Sequence, residues 1–145
     1  MKKILTILMF VAAFGLVIGC ASAAVDFTDH DFDGHFSMKV PKNATFKLTD
    51  ADNGIFGSGD SYHDSVNNLS ATYLMSADVN DSFVDKYVNQ FKDKGADVSK
   101  KGDLNIIDGH GINVIMFQKD GELLMIESTQ LDMDTLTTMA ESVKF

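Results

Sequence analysis

The chain has no Arg and no Trp, and only one Cys and one Pro in 145 residues. Each shortage excludes something. Its only fixed cations are 12 Lys, set against 21 acidic residues, for a formal net charge of -9. A basic surface able to neutralise a run of phosphates cannot be built from this, so nucleic acid is excluded as a partner. The same balance argues against docking on an anionic membrane through polybasic contacts. One Cys excludes an intrachain disulfide and any multi-Cys metal cluster. With 45% hydrophobic residues the chain is too apolar to remain disordered, and its length is that of one domain.

What is present begins with an export signal. Lys2 and Lys3 form a short positive region, an apolar run follows from Ile4 to Ile18, and small residues close it at Gly19-Cys20-Ala21-Ser22-Ala23-Ala24. That order reads as a secretory signal segment over residues 1–23. Two processing sites overlap. Val17-Ile18-Gly19-Cys20 resembles a lipobox, which would lipidate Cys20 and leave a membrane-anchored lipoprotein. Ala21-Ser22-Ala23 fits the A-x-A rule, with cleavage before Ala24 and a soluble product. Membrane contact is thus expected only through a lipid anchor or an uncleaved segment. Removing Lys2 and Lys3 leaves ten Lys against 21 acidic residues, a net charge of about -11.

Residues 24–34 read as an acidic leader and 35–145 as one α+β domain. His35 to Val40 alternates with period two, a strand ended by Pro41. Ala44 to Leu48 is a short second strand, and a long Asp/Asn/Gly/Ser-rich connection follows, which Ile55, Phe56, Tyr62 and Val66 pin to the body. Leu69 to Ser76 is a further strand. Between Asp78 and Gly95, Phe83, Val84, Tyr87, Val88 and Phe91 recur at helical spacing, with Asn80 or Asp81 as N-cap and Gly95 as stop. Period two then returns. Leu104–Ile107, Ile112–Gln118 and Glu122–Thr129 form three strands joined by Asp-Gly turns, which makes an antiparallel meander. Asp132 or Asp134 caps a last helix with Leu136, Met139, Ala140 and Val143 inward. Both faces of the meander strands are apolar, so a helix is needed on each. The expected fold is an antiparallel sheet of five to six strands, with a C-terminal three-strand meander, between helical layers.

The opening strand Phe36-Ser37-Met38-Lys39-Val40-Pro41, the strand, helix, meander and terminal helix, and the closing Glu141-Ser142-Val143-Lys144-Phe145 together resemble the PsbP-like superfamily of small α/β/α sandwiches. That superfamily includes DcrB-type envelope lipoproteins and the extrinsic photosystem subunits. The resemblance implies this fold and an accessory or binding role, and carries over no catalytic residues. One departure is that an aromatic, often Trp, follows the opening Pro closely in the family, whereas here only Phe46 is available.

Four patterns could carry chemistry. Asp29-His30-Asp31-Phe32-Asp33-Gly34 matches the first half of a calcium loop, with Asp29, Asp31 and Asp33 as candidate ligands for Ca2+. Val40 stands where the closing bidentate Glu belongs, so the expectation is a polar leader and turn. His30 and His35 with neighbouring Asp could ligate zinc, but solvated side chains are expected there, as for His63 and His110. Gly54-Ile55-Phe56-Gly57-Ser58-Gly59 lacks the order and the Lys of a phosphate loop. Ser61, His63 and Asp64 lie close in sequence without the elbow of a hydrolase, so no enzyme is expected. Asn43, Asn68 and Asn80 open N-x-S/T sequons; Asn43 and Asn68 fall in loops and are the candidate glycosylation sites. The function these readings give is an exported, non-enzymatic module of the cell envelope, without a cofactor, binding a protein, glycan or small ligand. A calcium-binding surface protein and a small envelope hydrolase using the 54–64 loop are the alternatives.

Overall fold

The computed structural model describes residues 24–50 and 59–145. The proposed signal segment with Cys20, and the glycine-rich stretch with Ile55 and Phe56, lie outside the described residues. The strands are β1 Phe27–Phe32, β2 Phe36–Pro41, β3 Phe46–Asp50, β4 Asp60–Asp64 and β5 Leu69–Met75. Helix α1, Asp81–Asp93, comes next. Then follow β6 Asp97–Lys101, β7 Leu104–Asp108, β8 Asn113–Lys119, β9 Glu122–Ser128 and helix α2, Met133–Glu141.

The fold is α+β, as the periodicity requires, but the main sheet has seven strands rather than five or six, in the order β3-β4-β5-β9-β8-β7-β6, all antiparallel. The extra strands are those with the weakest patterns. β6, DVSKK, has one apolar residue and is almost wholly exposed. It becomes a strand because the turn at Gly102, with φ of 58°, folds its backbone onto β7 from Lys101↔Leu104 to Asp97↔Asp108.

The acidic segment before His35 is a strand and turn, not a loop leader. Residues 27–32 form β1, paired with β2 from Phe27↔Pro41 to Phe32↔Phe36. Asp disfavours strands, which is why the segment reads as loop. Pairing overrides that preference because Phe32 enters the core while Asp29 and Asp31 stay in water. The hairpin lies on the same side of the sheet as α2. There Phe32, Phe36, Met38 and Val40 share one core with Leu124, Ile126, Leu136 and Met139. The C-terminal tail closes this layer. Ser37 and Lys144 exchange both backbone hydrogen bonds at 2.9 Å, and Ser142 Oγ accepts from Lys39 N at 2.8 Å.

α1 covers the opposite face over β6, β7 and β8. Val84 and Val88 pack on Ile107, Val114 and Met116, with Phe83, Tyr87 and Phe91 around them. Its cap is Asn80, whose side chain accepts from Phe83 N at 3.0 Å; Asp132 does the same for α2 through Thr135 N at 2.8 Å. Among the described residues no helix is long and apolar enough to cross a membrane.

One buried carboxylate anchors the segment from β3 to β5. Asp64 is 0% exposed and accepts from Thr45 N, Val66 N, Asn67 N and Asn67 Nδ2 at 2.7 to 3.2 Å. Burial alone raises its pKa, but these four bonds outweigh burial and hold the carboxyl below its usual 3.8. The network continues through Ser128 Oγ, which donates to Asn67 O at 2.9 Å and accepts from Gln130 N and Leu131 N.

Asp64→Ala leaves several buried donors unpaired and is expected to cost about 3 kcal/mol or more. Thermal melts should then fall by more than about 10 °C. Because the folded pKa is depressed, the stabilisation is present above about pH 3.8 and lost as pH drops through the lower folded value. Acid titration of wild type against the variant checks the sign.

Candidate functional site in the cleft below the first helix

The residues singled out in the sequence are spread over the hairpin and β4 rather than gathered. Asp29 and Asp31 sit on β1 and Asp33 in the following turn at φ of 55°. Asp31 Oδ1 accepts from Gly34 N at 2.8 Å and Asp33 Oδ2 from Tyr62 Oη at 3.0 Å. Among the described residues no three His, Cys, Asp or Glu side chains converge as a metal site. His30 lies against Phe32 and Phe46, with centroids 4.6 and 5.4 Å apart, while His35 stacks on Tyr73 and pairs with Asp60 at 3.2 Å. His110 Nε2 lies 3.1 Å from Gly95 O. Asn43 is exposed and its Oδ1 accepts from Asn67 Nδ2 at 3.2 Å, whereas Asn68 is half-buried and bonded to Thr129.

The Ser61, His63, Asp64 set is divided by the pleat of β4. Asp64 shares the α2-side face with buried Tyr62, and Ser61 and His63 point to the α1 side. There His63 Nδ1 lies 3.0 Å from Ser70 Oγ, and Ser61 Oγ 3.1 Å from Thr72 Oγ1. Cross-strand pairing continues this row from Ser70 to Glu127 and Val114. Glu127 is half-buried and, among the described residues, no side chain bonds to it; burial pushes its carboxyl from 4.5 up to about 7. The two buried tyrosines rise as well. Burial and then the Glu122 carboxylate, 2.8 Å away, push the Tyr73 hydroxyl up to about 12, and burial and then Asp33 raise Tyr62. Both are thereby fixed as neutral hydrogen-bond donors.

A concave site forms elsewhere. The N-terminal turns of α1 end over β7 and β8, and between them and the β6–β7 and β8–β9 turns lies a cleft of about 280 Å³. Asn105 forms its floor, with Val84 above. Asp81 and Asp85 come from α1, Asp103 and Asp120 from the two turns, and Gln118 from β8. Lys100 and Lys119 complete the lining. Gln118 Nε2 donates to Asp81 Oδ1 at 2.8 Å, which couples strand and helix across the cleft.

Asn105 is the unusual member. It is 4% exposed, two positions before core residue Ile107 and on the same face. Its Nδ2 donates to Met116 O at 3.1 Å, but its buried Oδ1 has no partner among the described residues. A buried amide oxygen left without any partner costs about 1–3 kcal/mol. The sequence carries a trace of this burial. Asn105 is a lone amide inside the apolar run Leu104 to Ile107, at an inward position. The cleft itself has no linear signature, because its residues come from α1, three strands and two turns.

Raising pH should destabilise the protein through Glu127. With a folded pKa above the unfolded value, the folded state holds a proton that the unfolded state releases. Stability is then full below about 4.5 and lost as pH climbs to about 7. Melting curves across that window should fall for wild type, and Glu127→Gln should flatten the fall.

No family model matches this chain. No curated protein matches it either. Among solved structures it is similar to the solution structure of cyanobacterial PsbP (CyanoP) from Synechocystis sp. PCC 6803, at 13% sequence identity and a TM-score of 0.46, over 91% of this chain and 98% of that chain.

Proposed function

We propose that the protein is an exported, non-enzymatic binding module of the cell envelope, and that the cleft below α1 holds a small polar ligand. The observation that carries this reading is the cleft itself, a polar concavity lined by carboxylate, ammonium and amide side chains over the buried Asn105. The volume, about 280 Å³, falls short of the usual range for small-molecule sites and restricts any occupant to a small one. Export rests on the positive, apolar and small-residue order of the first 24 residues. An acidic, Lys-only composition suits a solvated exterior.

Two measurements test the proposal. Mass spectrometry of the N-terminus of protein from the native host should find either a lipidated Cys20 or a free Ala24; an intact Met1 on a cytoplasmic product would refute export. Asn105→Leu should raise stability by about 1 kcal/mol, because one lost hydrogen bond is outweighed by removal of the orphaned oxygen. That corresponds to a melting temperature higher by about 3–5 °C. A fall in stability would show that Asn105 serves the fold and not a ligand.

A further inference from the structure

Independently of the cleft, we propose that the free edge of β6 is a self-pairing surface, to which a second copy of this chain adds its own β6 antiparallel about Ser99. β6 ends the seven-stranded sheet, and among the described residues no strand pairs with its outer side. The turn after it, Gly102-Asp103 with Gly102 at φ of 58°, is a two-residue hairpin loop, which closes on a hydrogen-bonded pair at Lys101 and Leu104. Bonding alternates along an antiparallel pair. Asp97, Ser99 and Lys101 therefore direct their backbone N–H and C=O to β7, and Val98 and Lys100 direct theirs outward. Side chains alternate as well. Val98 packs on the α1 side, while Lys101 Nζ reaches Glu141 Oε1 at 2.6 Å on the α2 side, with Asp97 and Ser99 on that same face.

The strand, Asp97-Val98-Ser99-Lys100-Lys101, is complementary to itself in one arrangement. A two-fold axis at Ser99 sets Asp97 opposite Lys101 of the second copy, and Lys101 opposite its Asp97. The same axis joins Val98 to Lys100, the residues whose backbone groups point outward, so charge and hydrogen bonding select one register. Parallel in-register pairing would set Asp on Asp and Lys on Lys, and an axis at Lys100 would set two ammonium groups face to face. Asp97 also has a reason within the chain to take a cationic partner. Its cross-strand neighbour is a second carboxylate, Asp108, and its own side chain is 79% exposed with His110 Nε2 3.7 Å away. Like charges directly opposite each other are destabilising. Lys100 and Lys101 deter an arbitrary strand from adding to this edge, whereas a second copy brings the carboxylate that answers Lys101. A strand of five residues makes a small interface, so the dimer is of the transient kind.

Moderate salt screens the long-range repulsion between two acidic copies more than the contacts at the seam. Under that condition, sedimentation of purified protein should show a reversible monomer–dimer equilibrium below about 1 mM. In 15N-resolved NMR the backbone amides of Val98 and Lys100 should shift with concentration more than those of any other strand. Asp97→Lys and Lys101→Asp, both at exposed side chains, should each weaken self-association by at least roughly tenfold, because two opposite-charge pairs become like-charge pairs. An equimolar mixture of the two variants should associate about as strongly as wild type, since both pairs in the mixed dimer are again of opposite sign. That recovery also shows that both variants fold. A wild type that stays monomeric up to about 1 mM would overturn the inference. Single variants that dimerise like wild type would overturn it by placing the association on another surface. A mixture that fails to associate, although melting curves show each variant folded, would overturn the Ser99 register. Concentration-dependent shifts confined to residues away from β6 would overturn the inference without any variant.

Discussion

Everything in this fold hangs on the pairing of β5 with β9. The seven matched positions from Leu69↔Ser128 to Met75↔Glu122 join a unit built of β3, β4 and β5 to the meander of β6 to β9. Each unit alone is a small antiparallel sheet whose central strand residues need cover on two sides. When the two meet edge to edge they form one seven-stranded sheet, with α1 over β6 to β8 on one face and α2 with the β1–β2 hairpin on the other. The register is set by burial. Leu69, Ala71 and Tyr73 must share a face with Leu124 and Ile126, and a slip by one residue would turn both sets toward the wrong layer. Asp64 and Ser128 lock the end of this seam, because both bond to the Asn67 turn between β4 and β5.

Three inward polar groups show three different resolutions of the same physical problem. Burying a polar atom is costly unless it is paired or neutral. Asp64 stays charged because four donors converge on it, and it serves structure. Glu127 has no such donors, so its carboxyl rises toward neutrality and holds a proton instead. Asn105 does neither. Its Nδ2 is satisfied within the sheet, and its buried Oδ1 has no partner among the described residues. The proposed function attaches to the cleft around Asn105 and not to the more conspicuous acidic runs of the sequence.

Those runs show where linear reading goes astray. D-x-D-x-D-G looks like a coiled cation loop, yet its residues become a strand edge and a tight turn, and two of the three carboxylates accept hydrogen bonds from Gly34 and Tyr62. Ser61, His63 and Asp64 are neighbours in sequence, but alternation along β4 puts Asp64 on the opposite face.

The sequence by itself determined what depends on near neighbours: both helices, with each N-cap narrowed to two candidates that the structure resolves as Asn80 and Asp132, the Asp-Gly turns, the strands whose apolar residues alternate, and hence the α+β class. Local hydrogen bonds and a repeated apolar face suffice for those. Tertiary structure decided the rest. β1 and β6 are too polar to form strands alone and exist because a neighbouring strand offers its backbone. The β5–β9 seam, the burial of Asp64 and the cleft around Asn105 join residues far apart in the chain. Their energies come from long-range pairing and exclusion of water, which no window of sequence records.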